Sequence, residues 1–238
     1  VASDRADYIL KESSPEEDIR AAYITNVVLT ADESSLLPGI DIVGFIKDYY
    51  TPGCNSVLPV ISLDADDKPV LSGGAVMKKD VMVGELDYEQ SNIYVMLREN
   101  SSTGIMVYEC ELRGEKCEVT ALCGITRSIK TNRRGSGYEF EIALDINADI
   151  MEISSLTSMT PSVEEINILT EQLNKSVEER AYKYLNYIHK ELGLDNLGLA
   201  REVLAMDRSQ AEQCDTKEFW QDIKVTVKAD SFLEAVTP

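Results

Sequence analysis

The sequence predicts an α+β protein: a mostly antiparallel four-stranded sheet packed by one long amphipathic helix, preceded by a smaller α/β-type unit. Three observations predict it. Segments between residues 104 and 147 alternate apolar and polar side chains with period two, so each strand buries one face. A stripe of Ile166, Leu169, Leu173, Val177, Ala181, Tyr184, Ile188 and Leu192 then advances in steps of three or four. A last alternating segment, from residue 223 to 230, returns the chain to the sheet.

The elements follow in order. Ser14-Pro15-Glu16-Glu17 supplies a cap, a first-turn proline and an acidic start for a helix over 13–31, with Ile19, Tyr23, Val27 and Leu29 on one side. A second helix is predicted over 39–50, with Ile40, Val43, Ile46 and Tyr50 as its apolar face. Thr51-Pro52-Gly53 ends it. Short strands follow at Val57–Leu63, Pro69–Met77 and Val81–Leu86, the first two joined by a polar turn at residues 64–69. Asp87 and Gln90 make a capping box for a helix carrying Ile93, Val95, Met96 and Leu97.

The strands of the larger sheet are Gly104–Leu112, Cys117–Ile129 and Tyr138–Asn147. Turns are read at Arg113-Gly114-Glu115 and at Arg134-Gly135-Ser136-Gly137. Thr160-Pro161 is read as the start of the long helix and Gly193 as its end. Shorter helices are expected over 197–206 and 215–222. In the final strand Ile223, Val225, Val227 and Ala229 oppose Lys224, Thr226, Lys228 and Asp230. Two units are expected, residues 1–76 and 77–238.

Composition narrows the function. The 238 residues carry a net charge of −19, which repels phosphate backbones, so no nucleic-acid partner is expected. No stretch approaches the roughly 20 apolar residues of a membrane span. Neither a signal peptide nor an initiator Met is visible, and the sequence reads as a trimmed chain or a mature fragment. The five cysteines form no CxxC pair, and an odd count fits no obligate disulfide framework. Cys117 and Cys123 fall on strand alternation, so buried thiols are expected, with one disulfide left open. His189 is the sole histidine, one position beyond the stripe, and is read as a structural cation near a helix C-terminus.

No motif yields a catalytic, cofactor or metal site. Asp64-Ala65-Asp66-Asp67 is dense in carboxylates but lacks the glycine and terminal glutamate of a calcium loop, and is read as a turn. Arg134-Gly135-Ser136-Gly137 leads into a strand, unlike a phosphate loop. Glu16/Glu17, Glu164/Glu165 and Glu178/Glu179 are read as wet helix faces, and Trp220 as core filling.

The order of several segments resembles the Ger(x)C spore-germination family. Leu71-Ser72-Gly73-Gly74-Ala75-Val76-Met77-Lys78-Lys79-Asp80-Val81-Met82-Val83-Gly84-Glu85-Leu86 looks like its apolar strand, Gly-Ala-Val-Lys step and short Lys-Asp segment. Val43-Gly44-Phe45-Ile46-Lys47 and Leu58-Pro59-Val60-Ile61 resemble the upstream helix and strand. Lys190 to Leu199 resembles the Asp-x-x-Gly segment, and Lys217-Glu218-Phe219-Trp220 with its following strand the C-terminus. The likeness spans about residues 15–236; the family's lipobox cysteine has no counterpart here, and its glycine near the end is replaced around Ala229–Ala235.

This resemblance implies a non-enzymatic lipoprotein on the outer face of the spore inner membrane, held by an N-terminal lipid anchor absent from the sequence. Its implied partners are the polytopic A- and B-type germinant receptor subunits. The alternative is an extracytoplasmic small-solute-binding lipoprotein with a cleft between its two units; a third option is a carboxylate-pair cell-wall hydrolase. Exposed apolar patches favour the first, a deep polar-lined pocket the second, and two close carboxylates the third. Asp195 and Gly198 are expected as surface residues for partner binding, Asp195 also capping the following helix and Gly198 admitting close approach. A turn needed only for folding is the competing explanation.

Overall fold

The computed structural model describes residues 1–2, 39–66, 68–135, 137–154 and 161–235. The helix expected over 13–31 and the Glu16/Glu17 pair lie outside these. The described chain runs α1 (Ile42–Tyr50), β1 (Val57–Leu63), β2 (Pro69–Lys78), β3 (Val81–Leu86), α2 (Tyr88–Arg98), β4 (Ser101–Leu112), β5 (Glu115–Arg134) and β6 (Gly137–Ile153). It continues with α3 (Val163–Leu185), a π-helical extension (Asn186–Leu192), α4 (Leu199–Met206), α5 (Ala211–Cys214), α6 (Lys217–Asp222) and β7 (Lys224–Ala235).

Two sheets form. One is antiparallel in the order β1-β2-β3; the other has the order β4-β5-β6-β7. In the larger sheet β4–β5 and β5–β6 are antiparallel, whereas β6–β7 is parallel, because the chain crosses over through α3 before returning. A boundary between residues 76 and 77 falls inside β2, which is bonded to strands on both sides. Val57, Val76 and Leu86 share one continuous core with Ile142, Leu173 and Ile188 of the larger unit.

The long helix organises that core. Leu169, Leu173, Val177, Ala181, Tyr184 and Ile188 are all buried, so the predicted stripe faces the sheet. Each fully buried Leu or Ile favours the fold by roughly 2 kcal/mol over exposure. Side chains of α3 also reach both edge strands. Gln172 accepts from Glu111 N (2.8 Å) and donates to Glu111 O (3.1 Å), and Arg180 donates to Val107 O (2.7 Å), all on β4. On β7, Glu178 accepts from Ala229 N (3.1 Å). The helix thereby occupies backbone groups that an edge strand would otherwise offer to another chain.

Several sequence expectations are corrected. The long helix is capped by Ser162 and Glu165, a full capping box, and Pro161 lies outside it. Arg113 ties Glu165 to the β4–β5 turn (2.6 Å), fixing that end. Of the apolar face expected on α1, Val43, Ile46 and Tyr50 point outward, as does Ile42, while Ile40 just before the helix is half-buried. Phe45 packs beneath the smaller sheet and Asp48 is buried, because ion pairs draw that side of the helix inward. Cys117 is no free thiol but is bonded to Cys110. Arg113 and Gly114 both have positive φ, as a two-residue hairpin turn demands, and the resulting register sets Cys110 directly opposite Cys117. The Asp64 turn is closed by its carboxylate, which accepts from Asp66 N and Lys68 N.

His189 is also corrected. It is buried, with its ring 5.9 Å from that of Trp220, itself buried and donating to Cys214 O (2.7 Å). Burial, with Lys190 nearby, pushes its imidazole down to about 3, so it is a neutral core group and not a cation. The folded value lies below the ordinary 6.5. Stability is therefore complete above that pH and is lost as pH falls through the window from about 6.5 to 3, by about 1.4 kcal/mol per unit. Between pH 6.5 and 5 the urea midpoint should fall in the native chain and fall less in His189→Phe. Asp195, held above the usual carboxylate range by burial, titrates in the opposite sense but is common to both proteins. Equal slopes in the two would contradict a buried neutral His189.

Candidate functional site: a buried ionic junction

Three charged side chains distant in sequence meet beneath the surface. Asp48, near the end of α1, is 1% exposed. A carboxylate so buried requires charged or hydrogen-bonded partners. Arg98, in the last turn of α2, places Nη2 3.2 Å from Asp48 Oδ2, and Arg201 of α4 pairs with Oδ1. Ser56 Oγ donates to Oδ2 at 3.2 Å. The carboxylate therefore links α1, the segment before β1, α2 and α4.

The loop carrying Asp195 to Gly198 forms the floor. Asp195 O accepts from Asn55 N (2.8 Å) and Asn55 Nδ2 (3.2 Å), in a bridge between residues 54 and 195. The Asp195 carboxylate turns the other way, accepting from Leu197 N (2.9 Å) and Ala200 N (2.8 Å), and so caps α4. Arg98 Nη1 donates to Asn196 O (3.1 Å), which links the loop to Asp48 through one guanidinium. Gly198 has φ +81°, and a Cβ there would sit 2.8 Å from Arg98 Nη1. A side chain is excluded both by the left-handed backbone and by that contact.

The electrostatics match the packing. Burial pulls Arg98 down, while Tyr94, Asp48 and Asp195 raise it, and the net direction is up. The Cys54 thiol, beside Asp195, is pushed up to about 12 by burial first and by the nearby carboxylate second. Cys123 is likewise raised to about 12 and Cys214 to about 11, chiefly by burial. These thiols are poor nucleophiles at neutral pH.

The expectation for Asp195 and Gly198 is thus met in local geometry and corrected in place. Asp195 caps the helix and Gly198 admits a close approach, but Asp195 is fully buried and the approaching group is Arg98 of the same chain. Asp48, Arg98 and Arg201 were absent from the sequence reading. Their partners lie 50 and 153 residues apart, and no local pattern marks them. A surface cavity of about 560 Å³ lies between the end of α3 and β7, lined in part by Tyr182, Leu185, His189, Val225 and Val227. It does not lie between the two sheets, where a solute cleft was expected.

Asp48→Ala strands two guanidiniums and should lower unfolding free energy by about 3 kcal/mol. Arg201→Ala should cost less, since Arg98 still neutralises the carboxylate. Gly198→Ala should cost about 1–2 kcal/mol through the forced left-handed conformation. Urea unfolding of the three variants checks the order; an Asp48→Ala protein as stable as the parent would remove the junction from the account.

A family profile described as spore germination B3/GerAC-like, C-terminal, matches residues 72–236. No curated protein sequence matches. The crystal structure of the GerBC protein is similar in fold, with a TM-score of 0.70 at 13% identity, covering 99% of this chain and 67% of that one. The family match begins within β2 and takes in α2, the whole larger sheet, the helix α3 and the Asp195–Gly198 loop. With well over half of its length matched, the chain belongs to the spore germination B3/GerAC-like family.

Proposed function

We propose that the chain is the C-type subunit of a spore nutrient germinant receptor, a non-enzymatic lipoprotein that works through protein–protein contact at the outer face of the spore inner membrane. The family match over residues 72–236 carries this reading. Polytopic A- and B-type subunits are the partners, and an acyl chain on residues preceding this sequence is the anchor. An acidic chain gains little from anionic headgroups, so a lipid anchor suits it.

The structure supports the non-enzymatic part by what its reactive groups do. The three free thiols are buried and raised, and the sole histidine is buried and neutral. Each serves packing. Meanwhile α1 turns Ile42, Val43, Ile46 and Tyr50 outward, and such exposed apolar faces suit a subunit that buries more surface on assembly. Asp195 and Gly198 then serve partner binding from within, by fixing α4 and Arg98. Small-solute binding is the second reading, and the cavity beside α3 and β7 is its basis.

The test is a pull-down of the tagged full-length protein from sporulated host cells in mild detergent. Co-purification of polytopic receptor subunits is expected. Recovery of the protein alone would contradict the receptor reading and turn attention to solutes for the α3–β7 cavity.

A further inference from the structure

The outward face of the larger sheet divides into two halves of opposite character. Towards the β5–β6 turn, charges are paired: Lys228 lies 3.4 Å from Glu141, and Glu139 lies 3.6 Å from Lys224 and 2.8 Å from Arg134. Towards the β4–β5 turn the pattern changes. Ile105, Val107, Leu122, Met151 and Phe232 are exposed, with Met151 and Phe232 each 61% accessible. Ile105 pairs with Leu122 across β4–β5 in a row that continues into Asp149 and Glu234, and Phe232 stands in the next row opposite Asn147.

Carboxylates stand among and beside these side chains in directly opposed pairs: Glu109 with Glu118, Asp145 with Asp230, and Asp149 with Glu234. Like charges directly opposite across strands oppose folding. Among the described residues no cation pairs with any of the six, whereas on the other half of the same face Glu139 pairs with Arg134 and Lys224, and Glu141 with Lys228. Stability alone therefore does not account for the arrangement. Exposed apolar side chains set among uncompensated carboxylates form a face complementary to a partner that offers cations beside apolar groups.

We propose that this face docks a protein surface bearing lysine and arginine beside apolar side chains. The charge selects among occupants. A second copy would set acid against acid, and an anionic lipid surface would be repelled. The inference rests on the receptor reading only for where the partner is sought.

The experiment places a photo-crosslinking benzoylphenylalanine at Phe232 of the full-length protein in host spores, with Thr226 as control. Thr226 is on the same strand, about 20 Å away on the charge-paired half. Crosslinked peptides are sequenced. Position 232 should label a partner peptide that carries Lys or Arg beside apolar residues, at yields about fivefold above position 226. Neutralising four acids together (Asp145→Asn, Asp149→Asn, Asp230→Asn, Glu234→Gln) should cut that yield about fivefold without lowering the melting temperature, since opposed like charges are removed. Equal labelling from both positions, adducts to lipid or to a second copy, or an undiminished yield in the neutralised variant would overturn the proposal. Labelling of a basic, apolar peptide in a protein that is no A- or B-type subunit would sustain the surface and sink the receptor reading. Co-purifying receptor subunits with no adduct at 232 would do the reverse.

Discussion

A carboxylate removed from water must be matched, and Asp48 is matched from three directions. Its two oxygens engage Arg98, Arg201 and Ser56, drawn from α2, α4 and the segment before β1. Those contacts tie the helix that precedes the smaller sheet to the loop and helix that follow α3. A pair of this kind contributes less to net stability than its Coulomb attraction suggests, because three charged groups lose solvent. What it contributes is definition: any displacement of α1 leaves guanidiniums buried without a counterion. The glycine at 198 belongs to the same constraint, since only a residue without a Cβ leaves Arg98 its place.

Around this junction the bulk of the stability is apolar. Helix α3 lies against the larger sheet with its stripe buried and reaches out through Gln172, Arg180 and Glu178 to both edges. Because β6 and β7 run parallel, the connection between them has to cross the sheet, and α3 is that connection. The arrangement seals the sheet on one face and at parts of its margins, leaving the opposite face as the broad accessible surface. That face holds the acidic, apolar half described above.

Much of the fold was legible in the sequence. β1 and β3 begin and end where the apolar runs do, and the α2 capping box was visible as Asp87 and Gln90. The stripe on α3 was readable because helical periodicity over seven turns has few alternatives. Its start was misread because Thr160-Pro161 resembles a helix entry as closely as Ser162-x-x-Glu165 does. The Cys110–Cys117 bond was within reach: a two-residue turn at Arg113-Gly114 fixes the register that opposes the two cysteines. The inward side of α1 was not, since the apolar stripe pointed one way and the ion pairs of Asp48 pull the other. Those partners are set by tertiary packing, and His189 was misassigned for the same reason: its neutrality follows from burial beside Trp220, which sequence position does not reveal.

The central claim is that the Asp48 junction makes α1, β1 and the larger sheet one cooperative unit. Hydrogen exchange of the native chain in increasing urea tests it most directly. The amides of Phe45, Thr51 and Cys54, which bond to Asp41 O, Lys47 O and Thr51 O, report on α1 and its exit. The account predicts that their exchange merges into the same unfolding isotherm as the amides of α3 and β6. Exchange of α1 and β1 through a separate opening of low free energy, with β6 and α3 still protected, would contradict it.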